Sequence, residues 1–214
     1  MKTQFFTVLF LFAFGVAATR LQAQQILTIT TSAAATPANY DDIMARLDAN
    51  GLTNVGWTFH AIGAGQPTGL FSIGLYPSQD ALNARLEKVR PVYQAAGGNL
   101  PAPQVFEVYR TFTGNIPATK PAAGILVFFD TKMTQAQYEQ TITGLRQAGI
   151  PTPPPGQLFH VAYKTPEGIK VVDVWDSIER FQNFGNTLIP VLQAAGVTPP
   201  QPVIYSLHNY VVPN

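Results

Sequence analysis

One unit is written twice in this chain. Gln94-Ala95-Ala96-Gly97 returns as Gln193-Ala194-Ala195-Gly196, and Phe59-His60 returns as Phe159-His160. Tyr40, Leu47, Gly51, Gly69, Ser78 and Pro91 return as Tyr138, Leu145, Gly149, Gly168, Ser177 and Pro190, with an offset that drifts only from 98 to 100 residues. A repeat of this length with few gaps means that each copy is one supersecondary unit. Two similar sheets can then bury each other.

Each copy reads as strand, helix, strand, strand, helix, strand. In the second copy, Ile125 to Phe129 is a short apolar strand. Thr134 and Gln137 then form a capping-box pattern before a helix that runs to Ala148, and Gly149 supplies its left-handed stop. Thr36, Pro37, Asn39 and Gly51 repeat that signal in the first copy. Strands are expected at Gln157 to Tyr163 and Ile169 to Trp175, with equivalents at Val55 to Ile62 and Leu70 to Tyr76. Ser177 caps a second helix, which Pro190 is expected to break. Last strands run over Pro202 to Val212 and Pro103 to Phe112. This gives a division into 1–23 (signal peptide), 24–112 (first repeat), 113–121 (proline-rich linker) and 122–214 (second repeat).

The leading segment has the form of a secretory signal. Lys2 precedes an apolar run from Phe5 to Ala18, which fits an h-region better than a bilayer span, and Leu21-Gln22-Ala23 offers a cleavage point. The expected location is therefore periplasmic or extracellular, with no membrane association after cleavage. Loss of Lys2 and Arg20 leaves 11 Lys+Arg against 12 Asp+Glu, a net charge of −1. With no basic patch, nucleic acid is not an expected partner. There are 0 cysteines, which rules out disulfides, a lipidated-cysteine anchor and a thiol nucleophile.

Strand alternation separates two sheet faces. Val172, Val174, Tyr205 and Leu207, with Ile73, Leu75, Phe106 and Val108 in the first copy, are assigned to the helix-covered face. The opposite face carries Val171, Asp173, Trp175, Ser206, His208 and Tyr210, with Ser72, Gly74, Tyr76, Glu107 and Tyr109. Brought together, these faces form an α+β barrel with a partly polar lumen, closed within one chain, which favours a monomer.

The βαββαβ order, the tandem copies and the polar set resemble the dimeric α+β barrel superfamily, which has ferredoxin-like subunits and includes antibiotic-biosynthesis-monooxygenase-like proteins. The second copy is similar to a small bacterial subfamily of unassigned function through Pro154-Pro155-Gly156-Gln157-Leu158-Phe159-His160, Val171-Val172-Asp173-Val174-Trp175-Asp176-Ser177 and His208-Asn209-Tyr210-Val211. The first copy departs from this pattern, with Gly74-Leu75-Tyr76 and Tyr109-Arg110-Thr111 at the matching places. A site built on the second set is therefore not expected twice.

The chain has 3 histidines, His60, His160 and His208. His160 or His208 beside Asp173 is a candidate base near neutral pH. Trp175, Ser206, Tyr210, His60, Tyr76, Glu107 and Tyr109 are the candidate ligand-binding set. The expected function is binding of a small aromatic or apolar molecule in the lumen. The resemblance implies an alternative, a cofactor-independent monooxygenase whose substrate itself activates oxygen once a His/Asp base has deprotonated it. A structural or interaction module is the third reading. A metal set of His160, Asp173 and His208 lacks tight ligand spacing, and haem is implied only by wider relatives, so neither metal nor cofactor is expected. No P-loop, GxGxxG or GxSxG motif occurs at a suitable junction.

Overall fold

The computed structural model describes residues 24–65 and 69–213. The signal-peptide assignment of residues 1–23 lies outside them. Two runs of βαββαβ follow one another: β1 (Ile26–Ser32), α1 (Pro37–Ala49), β2 (Phe59–Ala64), β3 (Leu70–Tyr76), α2 (Gln79–Ala95) and β4 (Gln104–Thr113); then β5 (Ile125–Met133), α3 (Gln135–Gln147), β6 (Gln157–Thr165), β7 (Gly168–Trp175), α4 (Ile178–Ala194) and β8 (Val203–Val211).

The helix ends follow their chemistry. Thr36 and Thr134 accept from the backbone N–H of Asn39 and Gln137, whose side chains reach back to close both capping boxes. Gly51 and Gly149, just past the helix ends, take φ of 66° and 77°, the left-handed conformation a side chain resists. Pro190 does not break its helix, and neither does Pro91: α4 and α2 run through them. A proline removes one backbone donor and crowds the turn before it, and these long helices absorb that loss near their C-terminal ends. β2 begins at Phe59, later than Val55, because residues 52–58 form a loop that packs on α2.

The strands form one antiparallel sheet ordered β1-β3-β2-β8-β5-β7-β6-β4, and β4 pairs back onto β1, so the ring of pairings closes. Each half forms its own four strands of the ring, with β4 on β1 and β8 on β5, and the last strands bridge the halves: β4 also pairs with β6, and β8 with β2. Each bridging strand has a register shift, leaving Tyr109 unmatched in β4 and His208 unmatched in β8.

The two sheet faces are inverted relative to the sequence-based expectation. Phe59 and Phe159 lie on strands that are opposite in the ring, yet their rings stack with centroids 3.9 Å apart. They can meet only across the barrel interior. Ile73, Leu75, Val108, Val172, Val174 and Leu207 belong to the same buried cluster, to which every strand contributes. The lumen is therefore solid and apolar, not partly polar. The mixed face, with Asp173, Trp175 and Tyr76, lies beneath the helices. Alternation identifies two faces but not which one is enclosed on all sides; the fully enclosed one takes the more uniformly apolar set. Residues 113–121 also do more than connect, since Ile116 packs against the interior cluster.

Candidate functional site

Two cavities open between helices and sheet, one in each half, and equivalent residues organise both. In the second half, β6 and β7 place His160 directly across from Asp173. His160 Nδ1 lies 2.7 Å from Asp173 Oδ1, and its Nε2 lies 2.8 Å from the Tyr138 hydroxyl on α3. All three side chains are buried. With the Nδ1 proton held by the carboxylate, Nε2 presents its lone pair and accepts from Tyr138. Burial pushes the Tyr138 hydroxyl pKa up, so it remains protonated. Phe112, delivered by β4 from the first half, covers the imidazole with centroids 5.2 Å apart. The adjoining cavity is about 70 Å³ and its lining is mostly apolar, with Thr131, Thr141, Thr152 and Gln157 as further polar residues and Phe184 and Leu188 of α4 on its helix side.

In the first half, His60 Nε2 meets the Tyr40 hydroxyl at 3.1 Å, repeating the Tyr–His pair. Across from His60 stands Gly74, so there is no carboxylate. Trp57 fills one side instead, with its ring 4.3 Å from the imidazole and nearly parallel to it. The Arg85 guanidinium lies over the same ring, 3.3 Å from its centre. Burial, with Arg85 nearby, pushes the His60 pKa down to about 3, so the imidazole is neutral at physiological pH. This cavity is about 230 Å³.

The unmatched strand residues also correspond. Tyr109 donates to Glu139 on α3, while His208 Nε2 pairs with Asp41 on α1 at 2.7 Å. Each bridging strand thereby clips a helix of the other half, as bulges that redirect a side chain commonly do.

The predicted site is thus assembled only in part. His160 and Asp173 come together. His208 does not join them: its end of β8 pairs with β2, its Nε2 meets Asp41 on α1 and its ring stands edge-on to Tyr40, so the three-ligand metal set is not formed. Among the described residues no group of three or more His, Cys, Asp or Glu is placed to hold a metal. The histidines do not fit haem ligation either, because each Nε2 already faces a tyrosine or aspartate side chain.

Of the expected ligand-binding residues, His60 and Tyr76 line the larger cavity. Trp175 is packed among Phe181 and Phe184 as core. Glu107 is exposed and pairs with Lys164, and Ser206 is exposed. Tyr210 follows the β8 register shift, which turns it towards the interior cluster, and its hydroxyl donates to the Pro117 carbonyl. Tyr109 braces Tyr138 edge-on rather than lining a lumen. Sequence reasoning missed Tyr138, Tyr40, Trp57 and Arg85. The first two were visible as a conserved-offset pair within the repeat; Arg85 and Trp57 have no equivalent in the second half and gave no signal.

No protein-family profile matches the chain, and no curated protein does. Solved structures do share the fold. A proposed monooxygenase from Fusobacterium nucleatum superposes with a TM-score of 0.65 at 9% identity, covering 88% of this chain and 94% of its own. Another, from Lactobacillus acidophilus, gives 0.61 at 8% identity, with 89% and 97% covered. A monooxygenase-like protein from Listeria innocua gives 0.50 at 12%, with 87% and 95% covered. The chain has the α+β fold of these monooxygenase-like proteins. At such identities the likeness extends to the fold alone.

Proposed function

We propose that this chain is an exported, tandem-duplicated member of the antibiotic-biosynthesis-monooxygenase-like barrels, working as a monomer, and that its second-half site deprotonates a small acidic organic molecule. The observation that carries this reading is the buried sequence of contacts Asp173–His160–Tyr138. Asp173 fixes the imidazole tautomer and would stabilise the cation formed on proton uptake. As the Tyr138 hydroxyl proton passes to His160 Nε2, its oxygen takes the proton of the substrate, so Tyr138 is the contact group and His160 the base. The resulting electron-rich anion is the species that would react with dioxygen, as the monooxygenase resemblance implies. The neighbours' descriptions support that chemistry over simple storage.

Proton abstraction can be measured without oxygen. In deuterium oxide, the wild-type chain is expected to accelerate exchange of the central C–H of acetylacetone. His160→Ala should abolish the acceleration. Asp173→Asn, which favours the wrong tautomer, should lower it by about 10²-fold or more. Exchange by His160→Ala equal to wild type would sink the proposal.

A second reading, ligand binding without turnover, is favoured by the first-half cavity. At about 230 Å³ it exceeds the roughly 150 Å³ that holds benzene in an engineered protein core, whereas the second-half cavity is smaller. That binding would occur between helices and sheet, not in the solid lumen.

A further inference from the structure

The first-half cavity contains a buried cation with no counter-ion. Arg85 is 4% exposed. Its Nη1 donates to the carbonyls of Leu52 and Val55, and its face rests on Trp57. All 12 acidic side chains of the chain fall within the described residues, and none of the ion pairs formed there involves Arg85. No carboxylate lines the cavity. Carbonyl dipoles and an aromatic face only partly offset the cost of burying a full charge.

A second, independent observation comes from Trp57. Its indole Nε1–H is buried without any hydrogen-bond partner, and the residue lines the same cavity. Buried donors are nearly always satisfied, so an orphan beside an empty volume marks a place for an acceptor. Tyr76 and Tyr93 line the cavity as well, and burial pushes both hydroxyl pKa values up, so they remain donors. His60 is neutral and bonded to Tyr40, which leaves Arg85 as the single charge lining the cavity among the described residues.

We propose that this cavity binds a small organic carboxylate with an apolar, ring-sized body, its carboxylate paired with Arg85. One cation fits a monoanion, and the planar guanidinium matches a planar carboxylate better than it would a phosphate dianion needing further cations. Leu47, Leu82, Leu86 and Val89 of the lining supply the apolar environment for the body of the ligand. The second half cannot do the same. The repeat offset of 99 around α2 puts Phe184 at the place of Arg85, and the offset of 100 that relates Phe59 to Phe159 gives the orphan-bearing Trp57 Gln157 as its counterpart. The two sites have therefore acquired different tasks, and this inference is independent of any role for His160.

The test compares benzoate with benzamide, its neutral analogue of the same shape, by titration calorimetry on the mature chain. Benzoate is expected to bind at least about tenfold more tightly. Arg85→Met should abolish that preference, whereas Arg85→Lys should retain part of it. Equal affinity for the two compounds would overturn the proposal, as would no saturable benzoate binding below about 10 mM. These comparisons need no variant, so misfolding of Arg85→Met leaves the test intact. A preference for benzoate that survives in folded Arg85→Met also overturns it, because the anion is then held elsewhere.

Discussion

At the scale of single residues, the two Tyr–His pairs show how a shared scaffold carries different chemistry. His160 faces Asp173 and His60 faces Gly74 at the same register position. A Cβ at Gly74 would come within 2.8 Å of Thr28 Oγ1 and 3.0 Å of Tyr76, so the first half has closed the space an acid would occupy. His60 is consequently buried with no anion beside it. Its ordinary pKa is 6.5 and its folded value is about 3. The unfolded chain therefore binds the His60 proton more readily, and the contribution of neutral His60 is complete above pH 6.5 and lost as the pH falls towards 3. Between those limits wild type should lose up to about 1.4 kcal/mol per pH unit from this group. His60→Gln, which keeps a polar partner for Tyr40, should lack that component. Urea unfolding of both proteins at pH 7 and pH 4.5 measures the difference; parallel losses would refute it. The histidines were legible in the sequence, as was Asp173 as the partner of one of them. Tyr40 and Tyr138 were legible only as repeat markers, because nothing in spacing shows which helix residue reaches over which strand residue.

At the scale of elements, the strands were largely readable and their orientation was not. Ile73 and Leu75, or Val172 and Val174, separate cleanly from Ser72 and Asp173 by alternation. The side each set faces depends on ring closure, a property of eight strands together. Residue parity also failed beyond the register shift in β8, where Tyr210 turns towards the interior while His208 is redirected to α1. The pairing of β4 with β6 and of β8 with β2 joins the halves edge to edge, a long-range contact that no local pattern encodes. Phe159 is 2% exposed and stacks on Phe59 across the barrel. Phe159→Ala should cost about 3–5 kcal/mol, since little can collapse into a closed ring of strands. Ser206→Ala, on an exposed outer position of β8, should change stability by less than about 0.5 kcal/mol. Chemical denaturation measures both variants, and Ser206→Ala separates this arrangement from one with a polar lumen, in which Ser206 would be enclosed and its loss felt.

At the scale of the whole molecule, the pairing of β4 with β6 and of β8 with β2 makes each half depend on the other. Residues 24–112 alone would expose the apolar inner face carrying Phe59, Phe71 and Ile73, together with two unpaired strand edges, a combination that drives association. Residues 122–214 alone would expose Phe159, Val172 and Val174 in the same way. The intact chain satisfies both needs internally, so it should sediment as a monomer. The two segments produced together, without a covalent link between them, should co-purify as a one-to-one complex, because the β4–β6 and β8–β2 pairings and the Phe59–Phe159 stack supply the interface that the linker merely makes intramolecular. Sedimentation of the intact chain and light scattering of the co-expressed segments measure these two expectations. Segments that each remain folded and monomeric when mixed would show that the sheets do not need each other, and would remove the physical basis for reading this chain as one barrel divided between two copies of a unit.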